Sequence, residues 1–135
     1  MPEINISTKG FNDVIDITDN VTKIVKDSDV KNGVAVLFVV GATAAITTIE
    51  YEPGLVKDIK EALETIAPID KYYHHEEAWH DGNGYAHIRA SLMKPSFSIP
   101  FENGELSLGA WQQIILIDFD NKPRNRKIIV KLLKC

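Results

Sequence analysis

The chain has 135 residues, of which 44% are hydrophobic and 25% charged, as is usual for one compact globular domain spanning residues 1–135. Its net charge of −4 argues against a general nucleic-acid-binding protein, and no apolar run approaches the ~20 residues of a membrane span. Because the chain has one cysteine, Cys135, and its start MPEINISTKG lacks a secretory pattern, we expect a cytoplasmic protein.

The first half of the chain predicts two short strands, a helix and two further strands. INISTKG and DVIDIT are typical of short strands, and Thr18 or Asp19 can cap a helix that we expect to end at Asn32–Gly33. GVAVLFVV, residues 33–40, is continuously apolar and β-branched, which predicts a strand buried on both faces. AAITTIE, residues 44–50, predicts the next strand.

The second half predicts a helix, a long loop and a β-rich end. Pro53–Gly54 opens the helix LVKDIKEALETIA, and the polar residues 70–84 indicate a loop before a short helix over 85–93. Asn103–Gly104 is a favoured hairpin turn, and WQQIILIDF and RKIIVKLL are two more strands. Two to three helices and about seven strands predict an α+β domain with a large mixed or antiparallel, sandwich-like sheet.

A cluster of polar residues begins in this loop and continues into the short helix. It contains all four histidines, at positions 74, 75, 80 and 87. A zinc-protease helix needs His-Glu-x-x-His, but His75 and His80 are five residues apart, a rotation of about 500° on a helix, which excludes that motif. A metal site formed by His75, His87 and a distant carboxylate stays open, as does the alternative that several rings are solvent-exposed.

Residues near His87 and in the basic segment KPRNRK suggest how an anion could be bound. His87 lies where a half-buried position is expected, either as a hydrogen-bonded core residue or as a general acid or base. Asn83 and Gly84 precede it at a predicted helix start, whose N–H groups can hold an anion. KPRNRK is either a solvated turn or an anion clamp formed by Arg124 and Arg126.

Three further polar residues stand at or near the ends of predicted elements. Glu50 closes a strand, Asp58 lies on the next helix, and Gln112 begins a strand beside Trp111. Each has an ordinary alternative, because Glu50 can favour a helix start, Asp58 can be solvated and Gln112 can be structural. Taken singly, none of the three indicates a site.

Four blocks of the sequence identify a resemblance that covers about residues 3 to 133. They are GVAVLFV…TAAITTIE with EPGLVKDI, YYHHE…DGNGYAHIRASL, ENGELSLGAWQQIILIDFD, and PRNRKIIV. Together they resemble the YjbQ-like family, whose members are called secondary thiamin-phosphate synthase enzymes. The resemblance implies a transferase-like enzyme that forms thiamin phosphate, as its main activity or as a side activity, from a small phosphorylated heterocyclic substrate. It also implies a homotrimer with its site near a subunit boundary.

The resemblance, joined to the residue types above, gives the expected site. Catalytic roles fall to His87, His75, Glu50 and Asp58. Substrate-binding roles fall to Asn83, Gly84, Gln112, Arg124 and Arg126. The expected ligands of a divalent ion, Mg²⁺ or Zn²⁺, are His75, His87 and His74. The alternative function is a non-catalytic trimeric protein that binds a small ligand or a metal ion.

One position departs from the family pattern. Many members carry His-Thr-Thr-Ala after the apolar strand, whereas this chain has Gly41 in place of the histidine. A role that depended on that histidine cannot operate in the same form here. His80, or the second of the His74/His75 pair, is a candidate substitute; alternatively, this branch keeps a ligand pocket and has lost some of the chemistry.

Overall fold

A computed structural model describes residues 2–135 and confirms the predicted α+β class. The helices are α1 (Thr18–Asp27), α2 (Pro53–Ile66), α3 (Glu76–Trp79) and α4 (Gly84–Met93). The strands are β1 (Glu3–Thr8), β2 (Asp13–Asp16), β3 (Gly33–Val40), β4 (Ala44–Ile49), β5 (Ser96–Glu102), β6 (Glu105–Leu106), β7 (Gln113–Asp118) and β8 (Arg124–Lys134). None of the helices in this range is both long enough and apolar enough to cross a bilayer.

The strands form two antiparallel sheets that pack together like a sandwich. The larger sheet has the order β1-β8-β3-β5-β6, and the smaller has the order β2-β7-β4. One core lies between the two sheets and α1, and a second lies between the smaller sheet and helices α2 and α4. The smaller sheet is therefore the middle of three layers.

The apolar run in β7 explains how the smaller sheet can lie between two cores. Ile114 and Leu116 point into the first core, whereas Ile115 and Ile117 point into the second, and all four are fully buried. Alternation along a strand sends successive side chains to opposite faces, so a strand in the middle layer needs apolar residues at every position. Burial of each such side chain contributes about 1.5–3 kcal/mol.

The prediction that residues 33–40 are buried on both faces is wrong. Ala35, Leu37 and Val39 of β3 are buried, but Phe38 and Val40 on the other face are 44% and 46% exposed. No other element within residues 2–135 covers this outer face of the larger sheet. The apolar residues there are consequently available for contact with another molecule.

Two other boundaries differ from the sequence prediction. Helix α1 ends at Asp27 because the N–H and hydroxyl groups of Ser28 both bond to the carbonyl of Val25, so the helix stops before Asn32–Gly33. The expected loop over residues 70–84 contains the short helix α3. The first difference arises from local capping by Ser28, and the second arises from turn formation within residues 70–84.

The register of β4 on β7 sets which residues lie at the two ends of these strands. These strand ends are called here the two edges of the smaller sheet. Ala44 pairs with Asp118 at one edge, and Ile49 pairs with Gln113 at the other. The five steps of extended chain from Ala44 to Ile49 separate these two pairs by about 17 Å along the strand. The residues before β4 and after β7 therefore meet at the first edge, and Glu50 and Gln112 lie at the second.

Candidate functional site

A cavity of about 380 Å³ opens at the edge of the smaller sheet where β4 begins and β7 ends. Its walls come from the β3–β4 turn at residues 41–43, from α3 and the start of α4, and from Asp120 with the first part of β8. Strands and helices that are anchored in both cores thus bring together residues that are far apart in the chain.

Arg126 forms one wall and is held by a fully buried carboxylate. Its Nε and Nη2 atoms donate to the two oxygens of Asp118 at 2.7 and 2.8 Å, and Nη2 also donates to the Thr43 hydroxyl at 2.6 Å. The guanidinium is only 7% exposed. Because these bonds fix two of its nitrogens, the third, Nη1, is left beside Gly41 at the cavity wall.

Gly41 gives Nη1 its access to the cavity. A Cβ atom at this position would lie 2.6 Å from Nη1 of Arg126, and the backbone φ of +137° is one that side-chain-bearing residues rarely adopt. The absence of a side chain at position 41 therefore leaves space at the guanidinium. Any larger residue here would compete with a ligand for that space.

Asp120 orients the second guanidinium of the cavity. The Nε atom of Arg124 donates to Asp120 at 2.8 Å, and the Arg124 side chain remains 38% exposed. Burial opposes the ionised form of Asp120, yet hydrogen bonds outweigh it and lower the pKa of this carboxyl group below its ordinary value. The donors are the Asn121 N–H group and the Asn83, Thr43 and Arg124 side chains.

The depressed pKa of Asp120 predicts a contribution to stability that is lost in acid. Since the folded value lies below the unfolded value of about 3.9, the carboxylate stabilises the fold above about pH 4, and this contribution disappears as the pH falls through the folded pKa. We expect Asp120→Asn to be less stable than the unaltered chain at neutral pH, with a difference that shrinks in acid when followed by urea unfolding. The exposed Asp29→Asn serves as control. A difference for Asp120→Asn that is constant with pH contradicts the expectation.

His75 and His87 lie together in the wall of the same cavity. Their ring centroids are 4.3 Å apart, with the planes inclined by 38°. Burial first, and then the neighbouring His75, lower the pKa of His87, so its ring is neutral at neutral pH and able to accept a proton. Nδ1 of His75 is buried without a hydrogen-bond partner among residues 2–135. The sequence predicts both residues in one site, and both line this cavity.

The other two histidines do not reach the cavity. His74 is 93% exposed at its side chain and contacts Glu77 at 2.9 Å, so the structure does not place it with His75 and His87 as the sequence analysis expected. His80 is exposed, and it ends α3 in a left-handed conformation with a φ of 55°. Neither ring is therefore placed to substitute for the histidine that Gly41 replaces.

A mixed group of possible metal ligands stands beside the histidine pair. One ligand atom each from His75, Glu76 and Asp81 lies within 4.8 Å of the others, and Nδ1 of His75 is 3.6 Å from a carboxylate oxygen of Asp81. Imidazole with carboxylates suits Zn²⁺ better than Mg²⁺, which prefers oxygen ligands throughout. The unpartnered His75 Nδ1 fits such an ion, whereas His87 is not part of the group.

Asn83 lies in the cavity wall, but Gly84 does not. Asn83 is 4% exposed, its Nδ2 donates to Asp120 at 3.2 Å, and its Oδ1 has no partner within residues 2–135. A Cβ atom on Gly84 would come within 2.6 Å of the Tyr73 side chain. Gly84 thus permits close packing, and the structure gives it no position for binding a substrate.

Three residues expected in the site lie elsewhere in the chain fold. Glu50 is exposed at the opposite edge of the smaller sheet, and Gln112 lies near it, where its side chain donates to Thr48 at 3.1 Å. Asp58 is exposed on α2. One chain by itself therefore does not join Glu50, Gln112 or Asp58 to the histidines and arginines.

The structure also adds cavity residues that sequence reasoning did not identify. Asp118 and Asp120 orient the two arginines, Thr43 bridges Arg126 and Asp120, and Trp79 lines the cavity. The string LIDFD did carry a signal, because two carboxylates at the end of an apolar strand precede two arginines in PRNR. Trp79 has no comparable sequence signal.

Comparison with known proteins shows the family of this chain. The family model described as UPF0047 protein YjbQ-like matches residues 2–135. The chain belongs to the YjbQ-like family. A UPF0047 protein of Archaeoglobus fulgidus is 38% identical over 131 residues, which cover 97% of this chain and 99% of that one. YugU of Bacillus subtilis is 32% identical over 96% of both chains.

Solved structures of YjbQ-like proteins share the whole fold. A YbjQ-like protein of unknown function from Sulfolobus solfataricus superposes with a TM-score of 0.93 at 34% identity, covering 99% of this chain and 96% of that chain. A YjbQ/UPF0047 protein from Clostridium acetobutylicum gives a TM-score of 0.89 at 41% identity, covering 98% and 100%. The predicted family membership is thus confirmed over the full described range.

Proposed function

We propose that this YjbQ-like protein is an enzyme that binds a small phosphorylated heterocyclic compound in the cavity, with thiamin-phosphate formation as the reaction to test. The supporting observation is the pair of arginines. Asp118 and Asp120 orient Arg126 and Arg124, and Nη1 of Arg126 stays available at the wall. A planar guanidinium with fixed orientation is well suited to phosphate oxygens.

The charge of the cavity is compatible with an anionic ligand. Each arginine is paired with one carboxylate, and the oxygens of Asp118 and Asp120 are already occupied by donors from the protein. A phosphate entering the cavity therefore meets N–H groups on this side. A cation held by His75, Glu76 and Asp81 would add positive charge near the same ligand.

Thiamin-phosphate formation requires stabilisation of a departing anion. The thiazole nitrogen attacks the methylene carbon of the aminopyrimidine, the carbon–oxygen bond breaks, and its electron pair leaves with pyrophosphate. Arg124 and Arg126 would stabilise the charge on that leaving group, as fixed donors do in other enzymes. A divalent ion, when bound, supplies further charge neutralisation. His75 and His87 would position the departing oxygens by N–H donation.

His87→Ala tests the enzymatic proposal. We expect turnover to fall about 100-fold, since loss of one positioned donor or proton-transfer group has an effect of this order. The measurement is thiamin-phosphate formation from the two phosphorylated precursors, with His74→Ala as a matched control because His74 is 93% exposed at its side chain. Unchanged turnover in His87→Ala removes His87 from the mechanism, and absence of turnover in the unaltered protein rejects the reaction.

A homotrimer belongs to the same proposal. Glu50 and Gln112 lie about 17 Å along β4 from the cavity edge, so they could approach a cavity only from a neighbouring subunit. The uncovered apolar face of the larger sheet, with Phe38 and Val40, supports association of this chain. A site near a subunit boundary would then combine the histidines of one copy with Glu50 of another.

The second candidate is a non-catalytic protein that binds a metal ion or a small ligand. The specific observation in its favour is the group formed by His75, Glu76 and Asp81, whose ligand atoms lie within 4.8 Å of one another. This candidate predicts about one zinc ion per chain in the purified protein, lost on chelation and absent in His75→Ala, without turnover. Metal analysis by mass spectrometry measures the ion, and absence of thiamin-phosphate formation by the metal-loaded protein separates this candidate from the enzyme.

A further inference from the structure

Trp79 is an exposed aromatic residue with a particular location. Its side chain lines the cavity that contains Arg124 and Arg126, yet the residue is 71% exposed. Solvent exposure of so large an apolar ring has no benefit for the stability of a single chain, because its burial would be favourable. At this position the exposed ring is available for contact with a bound molecule or a neighbouring protein.

The turn that carries Trp79 is anchored. Oε2 of Glu76 accepts a hydrogen bond from the Gly82 N–H at 2.8 Å, and a Glu77 oxygen contacts the hydroxyl of Tyr72. The Trp79 N–H donates to the carbonyl of His75 at 3.3 Å, inside helix α3. These contacts hold the backbone on both sides of Trp79, so a ligand that contacts the indole does not also have to order the turn.

A second observation on the same cavity points to a ligand. Oδ1 of Asn83 faces no hydrogen-bond partner within residues 2–135, although the residue is only 4% exposed. Buried polar atoms normally have partners, so this acceptor is suited to an N–H or O–H group of a bound molecule. The cavity thus offers an aromatic surface, a buried acceptor and two guanidinium groups.

We propose that Trp79 is the surface on which a flat heteroaromatic ring of the ligand stacks while the ligand's phosphate contacts the arginines. This inference rests on the proposed function, and it adds a determinant of ligand class. A phosphate compound that carries a heteroaromatic ring, called here ring-bearing, is preferred to one of the same charge that lacks it. Stacking of a base on an aromatic side chain corresponds to about a tenfold gain in affinity or more.

Calorimetric titration of the full-length protein tests the inference. The ring-bearing probes are uridine 5′-monophosphate and cytidine 5′-monophosphate, and the probe without an aromatic ring is ribose 5-phosphate, whose phosphate carries the same charge. We expect at least one ring-bearing probe to bind about ten times more tightly than ribose 5-phosphate. Trp79→Ala should bring this ratio close to one with little change for ribose 5-phosphate, whereas Trp79→Phe should retain most of it.

A matched control and a size measurement complete the test. Leu92→Ala removes another exposed apolar side chain, 58% exposed on α4 and away from the cavity lining, and should leave the ratio unchanged. Equal binding of all probes, or a ratio that Trp79→Ala leaves intact, overturns the inference alone. Absence of binding by every phosphate rejects the proposed function as well. If light scattering shows that Trp79→Ala changes only the oligomeric state, the ring belongs to a subunit contact and the inference is wrong.

Discussion

Arg126→Ala is expected to lower the free energy of unfolding by about 3–5 kcal/mol and to abolish phosphate binding. Asp118, which is fully buried, would lose the two hydrogen bonds that now neutralise it. A buried carboxylate without its partner is costly because the protein interior solvates charge poorly. Thr43 would also lose its bond to Nη2. The effect therefore combines structural and ligand-binding roles of the same side chain.

Two further variants separate those roles. Arg124→Ala removes a side chain that is 38% exposed, so we expect a stability loss below about 1 kcal/mol but a clear reduction in phosphate affinity. Arg126→Lys keeps a positive charge near Asp118 but cannot reproduce the two-point contact, and it should recover part of the stability. Urea unfolding and calorimetry with inorganic pyrophosphate measure both quantities. Full stability in Arg126→Ala contradicts the assigned pairing.

Arg89→Ala is expected to destabilise the fold by at least about 3 kcal/mol. Arg89 has no exposed surface, and its guanidinium donates to the carbonyl of Ala67, to Oδ1 of Asn12 and to Glu64 at distances of 2.8 to 3.1 Å. It also lies 5.1 Å from the centre of the Tyr85 ring. This one side chain connects α4 to the end of α2 and to the β1–β2 turn.

The loss at Arg89 should also affect the cavity indirectly. Arg89 and His87 belong to the same helix, so looser attachment of α4 is expected to weaken ligand binding without removing any cavity group. Lys57→Ala, an exposed position on α2, is the control for a general effect of losing a basic residue. Thermal and urea unfolding measure the change. A loss of unfolding free energy under about 1 kcal/mol for Arg89→Ala would contradict the structural role assigned to Arg89.

Local sequence patterns predicted most of the elements because their causes are local. Asn103–Gly104 forms the turn between β5 and β6 with positive φ at both residues, as its sequence required. The division of the strands into two sheets was not predictable, since it depends on pairing between distant segments such as β1 with β8. The exposed face of β3 was missed for the same reason: apolar composition does not show which neighbour covers a strand.

The candidate site was predictable in part. Residue chemistry and the family resemblance pointed to His75, His87, Asn83, Arg124 and Arg126, and all five line one cavity. The supporting carboxylates could not be assigned, because the contact of Asp118 with Arg126 depends on how β7 and β8 lie in different sheets. A family signature also cannot tell residues that share a cavity within one chain from those that lie on opposite edges.

The most direct test of the central claim is a crystal structure of the protein with inorganic pyrophosphate. The claim is that the arginine pair forms the phosphate-binding side of the cavity. We predict electron density for the anion within hydrogen-bond distance of Nη1 of Arg126 and of the Arg124 guanidinium, beside His87. The claim would be contradicted if pyrophosphate density appeared only on the outer surface of the protein while the cavity contained ordered water.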